Sequence, residues 1–194
     1  VLQSQVCRTS DINPHQPARS RHALTGSWRR LMRDRRGVTA VEFGIVALPF
    51  FALLMAIIEA AMAFFAGQLL DTGLNDAARL IRTGQAQAGA YDAARFKQEV
   101  CNRIPALINC NGSLTVDVRV PTSFSSANFS IPTASGNFDP AQTQYNIGGS
   151  SSVVVARAFY KWPSFANLLG SSLSNQADKT ILLVSTAAFR NEPF

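Results

Sequence analysis

Histidine is absent after position 22. The only two, His15 and His22, fall within the first 37 residues. The rest of the chain therefore lacks the side chain that most often serves as a base at neutral pH. A Ser-His-Asp set, a Cys-His pair or a histidine zinc site cannot be built there. Acidic residues are also sparse, 12 in 194 residues, and dispersed, with no obvious close pair for acid–base work. Asp139-Pro140 and Gly148-Gly149 read as turns and not as phosphate cradles, because no strand-loop-helix context surrounds them. These absences argue against an enzyme, and no catalytic residue, cofactor or metal is expected. Arg157 and Lys161, near Tyr160 and Trp162, could hold a ligand, but read more simply as strand-end residues with amphipathic side chains.

Charge of either sign nearly vanishes from Val38 to Gly67, where Glu42 and Glu59 stand alone. Phe43–Ile58 carries none and would rise about 24 Å as a helix. Extension through Ala66 gives about 36 Å, enough to span a hydrocarbon layer of about 30 Å with some tilt. A single transmembrane helix over 38–67 is the reading, against a buried core helix as the alternative. Glu59 would then lie toward one interface, where a carboxylate can be solvated.

The net charge of +6 belongs to one segment. Residues 1–37 hold eight arginines and two acids, 8 − 2 = +6, and the remaining 10 basic and 10 acidic residues cancel. A basic segment beside an apolar helix follows the positive-inside rule, which puts residues 1–37 in the cytoplasm and everything after about Gly67 outside. The neutral outer part has no basic stripe, so no nucleic-acid role is expected. Residues 1–27 lack hydrophobic periodicity and read as a disordered tail.

Cysteine is equally scarce. Cys7 lies in the basic segment; Cys101 and Cys110 lie on the expected outer side, where disulfides persist. Their pairing is the one intrachain bridge available there, with two buried free thiols as the alternative.

Hydrophobic periodicity supplies the elements. Val38–Ile81 reads as one long helix, interrupted by Gly44 and loosened or kinked by Pro49, whose nitrogen cannot donate to Ile45. Its outer part is amphipathic, with Leu70, Leu74, Ala77, Ala78 and Ile81 on one face. Tyr91–Cys110 looks like a second helix with apolar positions at Phe96, Val100, Leu107 and Ile108, bent or restarted at Pro105 and ended by Asn111-Gly112. Leu114–Val120 alternates as a half-buried strand, with Asp117 and Arg119 turned away from Leu114, Val116, Val118 and Val120. Residues 121–150 form a long, partly ordered loop. Ser152–Tyr160 is a second strand that Trp162-Pro163 breaks, 165–173 a short helical or loop segment, and Lys179–Arg190 a third strand. The class is α+β: a long helix, a shorter one, and three strands able to pair as an antiparallel meander over residues 68–194.

The segment RDRRGVTAVEF, residues 33–43, joins basic leader to apolar helix. Gly37, four residues, then Glu42 and Phe43 resembles the processing site of type IV prepilins. More narrowly, the chain resembles the TadE-like family of the tight-adherence (Tad, or Flp) pilus system. Pro49, Ile58-Glu59, Ala77-Ala78-Arg79 with RTGQAQ at 82–87, the two cysteines before LTVDVRV, YKWP at 160–163 and FRNEPF at 189–194 all share the likeness. It covers roughly residues 29–194. It implies a pseudopilin whose leader a prepilin peptidase removes between Gly37 and Val38. The mature helix would anchor in the inner membrane, with the head in the periplasm among other pilins, pseudopilins and Tad assembly proteins. Glycine permits close approach to the scissile bond. The new Val38 amine would lie one helical turn from Glu42, the partner that the resemblance assigns to this carboxylate within the subunit or in a neighbour. Glu59 and Pro49 are further candidates for assembly contacts.

Two other readings stay open at this level. Ala61-Met62-Ala63 resembles a signal-peptidase site, and cleavage there would release a soluble binding domain beginning at Phe64. An uncleaved single-pass scaffold is the other.

Overall fold

A computed structural model describes residues 37–104, 108–164 and 174–194. The basic leader up to residue 36, the Pro105 bend, Leu107 and the 165–173 segment lie outside the described residues. The chain divides into two units, Val1–Leu48 and Pro49–Phe194.

Helix α1 is the single 45-residue element Val38–Arg82, with Pro49 inside it. It follows the expected Val38–Ile81 span. Its two ends differ in what surrounds them. From Val41 to Leu54 the large apolar side chains are exposed, including Phe43 at 70% and Leu48 at 73%. Its most apolar 18-residue window contains no buried residue. Length and composition suffice for a membrane crossing, and the exposure separates α1 from the core helix of a soluble domain. From Glu59 onward a stripe at Ala63, Ala66, Leu70, Leu74, Ala77 and Ile81 is buried. Each fully buried leucine or isoleucine in that stripe contributes about 1.5–3 kcal/mol.

A left-handed Gly84 (φ +79°) ends the run and leads to α2, the short turn Gln85–Ala88. The ring of Phe194 lies against Gly84, where a Cβ would come within 2.7 Å of it. Helix α3 covers Ala93–Asn102 and is capped by Asp92, whose carboxylate accepts from Arg95 N at 2.7 Å. Phe96 and Val100 are fully buried, one turn apart. The second helix is therefore shorter than the Tyr91–Cys110 expectation. It ends eight residues earlier, and a separate turn, α4 (Cys110–Ser113), carries Asn111-Gly112 straight into β1, Leu114–Arg119. A disulfide joins Cys101 near the end of α3 to Cys110 at the start of α4, Cα to Cα 6.0 Å. Inside the loop it closes, Ile104 packs on α1 so tightly that a Cβ on Gly73 would approach its Cγ1 to 2.5 Å.

Strands β1, β4 (Val153–Pro163) and β5 (Thr180–Arg190) form an antiparallel sheet in that order, a meander with the small hairpin β2 (Thr133–Ala134) and β3 (Asn137–Phe138) inserted. Trp162-Pro163 does not break β4, contrary to expectation. Opposite Tyr160, β1 has already begun at Leu114, so Lys161–Pro163 pair with β5 alone. The missing N–H of Pro163 falls on the side without a neighbouring strand. One sheet face, with Val116, Val118, Val154, Ala156 and Ala158, shares a core with α1 and α3. On the other, Phe138 stacks on Phe159 at 4.5 Å over Leu182.

Replacing both Cys101 and Cys110 by serine is expected to lower head-domain stability by about 2.5–3 kcal/mol, the loop-closure value for a bridge of this span. Urea denaturation under oxidising and reducing conditions checks it, and the variant should show no further loss on reduction.

Candidate functional site

Gly37, the first described residue, has 3-10 conformation and runs directly into α1, whose first residue is Val38, so the expected scissile bond joins the two. Gly37 is open on all sides, with nothing within 4 Å of a Cβ placed there. Glu42 follows Val38 by four residues on the same helical face and is exposed, as is Phe43. The first turn contains no acidic residue.

Glu59 is buried, 7% exposed, at the head of the stripe that continues through Ala63, Ala66 and Leu70, and not solvated as expected for an interfacial carboxylate. The helical period decides this: positions 59, 63, 66 and 70 share one face, and that face turns inward. Pro49 lies in the exposed, apolar part of α1 and at the division between the two units.

The head domain contains a polar centre that the sequence reading missed. Asp117 is fully buried and Arg157 is 2% exposed. Asp117 stands opposite Arg157 across the β1–β4 ladder, and its Oδ2 accepts from Nη2 at 2.6 Å and Nε at 2.9 Å. Arg119 Nε donates to the other oxygen at 3.0 Å. The 121–150 segment closes the set. Gln144 N donates to Asp117 Oδ1 at 2.7 Å, Arg157 Nη1 to Ser130 O at 2.8 Å, and Arg119 Nη2 to Gln142 O at 2.9 Å. The β1 strand is therefore not half-buried as its alternation suggested: the loop covers its polar face. Arg157 is a clamp for that loop and not an exposed ligand-binding residue. Lys161 pairs with Asp178 at 3.1 Å. The signal available was the pairing of an acid and a base in two strands, which becomes visible only once register is known.

Tyr145 anchors the same loop. It forms a parallel bridge to Val118 and lies 5.9 Å, ring to ring, from Phe96. Its hydroxyl is buried with no hydrogen-bond partner among the described residues. Burial, reinforced by the nearby negative charge of Asp92, raises its pKa to about 12.

Two outcomes follow. Asp117→Asn leaves the Arg157 cation buried without its full counter-charge. It should cost about 3–5 kcal/mol and open 121–150 to limited proteolysis before the core unfolds. Above pH 10 an unfolded Tyr145 ionises while the folded one stays neutral, so stability should fall as pH rises from 10 to 12. Tyr145→Phe should flatten that slope in alkaline denaturation curves, with tyrosinate absorbance reporting the titration.

Among the described residues no group of three or more His, Cys, Asp or Glu is arranged to hold a metal ion. No curated protein and no solved structure matches the chain. A family model, described as TadE-like protein, matches residues 37–79. That match starts at the glycine of the junction and runs through most of α1, bearing out the family resemblance over this segment, while the likeness in the head-domain motifs lies beyond it. Residues 37–79 thus make the chain similar to TadE-like proteins, which suggests a Tad pilus-associated component with one membrane-length helix.

Proposed function

We propose that the chain is a minor pseudopilin-like structural component of tight-adherence pilus assembly, made as a precursor and cut by a prepilin peptidase between Gly37 and Val38. The observation that carries the reading is that three features meet around Gly37. The arginine-rich segment ends at Arg36, the family match starts at Gly37, and α1 starts at Val38. The arginines would hold the bond at the cytoplasmic face of the inner membrane by attraction to anionic lipid. Hydrolysis would add one water, leaving a carboxylate on Gly37 and an amine on Val38, and would remove the whole +6.

In this reading the new ammonium group pairs with Glu42, in the same subunit or in a neighbour. Unpaired, that carboxylate would be costly among packed apolar helices, so the pairing also sets register between subunits. Phe43 and the exposed apolar residues after it would face lipid first and other pilin-like helices later. Pro49 gives local freedom at the start of this part, and Glu59 is a further candidate for an assembly contact, with the head in the periplasm. Release of a soluble domain by a cut after Ala63 is disfavoured. The helix is continuous there, and Ala63 and Ala66 belong to its buried stripe.

N-terminal sequencing of the mature protein is the test. A start at Val38 that disappears in cells lacking the peptidase supports the proposal. A start at Phe64 would indicate secretion, and an intact leader would indicate an anchored scaffold. Gly37→Val should leave the precursor uncut. Glu42→Ala should be cut normally yet fail to support piliation, and normal pili from it would remove the assigned role.

A further inference from the structure

The two edges of the sheet are finished differently. On the β1 edge the chain pairs with itself: Val118 N donates to Gln144 O at 2.8 Å, and Asn146 N donates to Val118 O at 2.9 Å. On the β5 edge, among the described residues, only the ends are capped. The side chain of Asn175 takes both groups of Leu182, at 2.7 and 3.2 Å, and Glu192 N donates to Arg82 O at 2.9 Å. Strand alternation assigns the N–H and C=O of Val184, Thr186, Ala188 and Arg190 to the same outward side as Leu182 and Glu192. Among the described residues nothing pairs with them.

This stretch is about 20 Å long. Edge strands that must stay single carry an inward charge, a proline or a bulge. Here Ile181–Phe189 has no charge and no proline, and its ladder to β4 runs without a bulge. Val184 is 41% exposed, and Thr186 and Ala188 are exposed beside it. A groove between the edge and α1, lined by Asn75, Asp76, Arg79, Arg82, Ala187 and Phe189, leaves room for a second backbone.

We propose that the β5 edge is a strand-addition site, and that its occupant is an extended, uncharged segment of a different protein, flanked by a carboxylate. The charge follows from Arg190. Among the described residues the Arg79 guanidinium has no ion pair, and Arg190 holds only the carbonyl of Ser151, at 2.8 Å. Arg190 shares its sheet face with Val184, Thr186 and Ala188, whereas Arg79 lies on α1 at the other face beside Asp76, so a carboxylate at the end of an incoming strand meets Arg190. A second copy paired β5 to β5 is a poor occupant. Helix α1 runs in the direction of β5, since Asp71 bonds Ser185 at 2.8 Å and Arg82 pairs with Glu192 at 3.3 Å. An antiparallel pair would point the two apolar helices in opposite directions, and one bilayer could not take both.

The probe is a capped peptide of alternating threonine and valine with a glutamate at each end, added to the full chain in micelles. Amide hydrogen exchange is read residue by residue. The proposal expects fast exchange at Val184, Thr186 and Ala188 without peptide, and slowing of about tenfold or more with it. Leu183, Ser185 and Ala187, which already pair with β4, should stay protected throughout. Thr186→Pro removes an N–H that β4 does not use, so it should abolish the slowing and keep that protection. Lysine in place of the glutamates should weaken binding. Three results would overturn the proposal: outward amides already protected in the chain alone, no slowing by the peptide, or self-association of the chain that Thr186→Pro abolishes.

Discussion

One helix has to satisfy two surroundings, and the rest of the molecule is arranged around that demand. The first part of α1 exposes phenylalanine, leucine and isoleucine side chains that water would not tolerate as a large patch. The last part buries a stripe that the sheet and α3 cover completely at Leu70, Leu74 and Ile81. One helix, Val38–Arg82, carries both. The buried Glu59 marks the point where one regime replaces the other. This acid lies where the exposed apolar run gives way to the buried stripe, on the face that turns inward.

The head meets this by holding α1 from several sides. The disulfide between Cys101 and Cys110 closes the loop in which Ile104 presses against Gly73. The C-terminal residues fasten the other end. Asn191 donates to the carbonyls of Ile147 and Gly149, Glu192 engages Arg82, and Phe194 covers Gly84. The Asp117–Arg157 pair acts on the opposite sheet face. It costs desolvation to bury these charges, and the arrangement offsets that cost by adding partners from the 121–150 segment, the amide of Gln144 for Asp117 and the carbonyl of Ser130 for Arg157. That segment is thereby an ordered cover for the sheet, in spite of its serine- and asparagine-rich composition.

Much of this was legible in the residues. The apolar run with two acids, the amphipathic continuation of α1, the three alternating segments and the order of elements all follow from side-chain spacing, which reports local periodicity directly. What misled was local in the same sense. Pro163 looked like a strand breaker because its neighbours in space were unknown. Asp117 looked solvent-facing because alternation says which residues share a face, not whether that face is covered. Glu59 looked solvated because hydropathy counts charge along the helix and ignores its azimuth.

The sequence by itself determined that one long apolar helix leads into an α+β head, and that a glycine–glutamate junction stands at the end of an arginine-rich segment. These are matters of composition and period, fixed by neighbours within a turn or a pleat. The tertiary structure alone decided that Arg157 meets Asp117 forty residues away, that the 121–150 segment closes one sheet edge, and that at the other no described residue pairs with the middle of β5. Those outcomes depend on strand register and on which surfaces are covered. Both arise from packing between distant parts of the chain, and so have no signature in the spacing of any one segment.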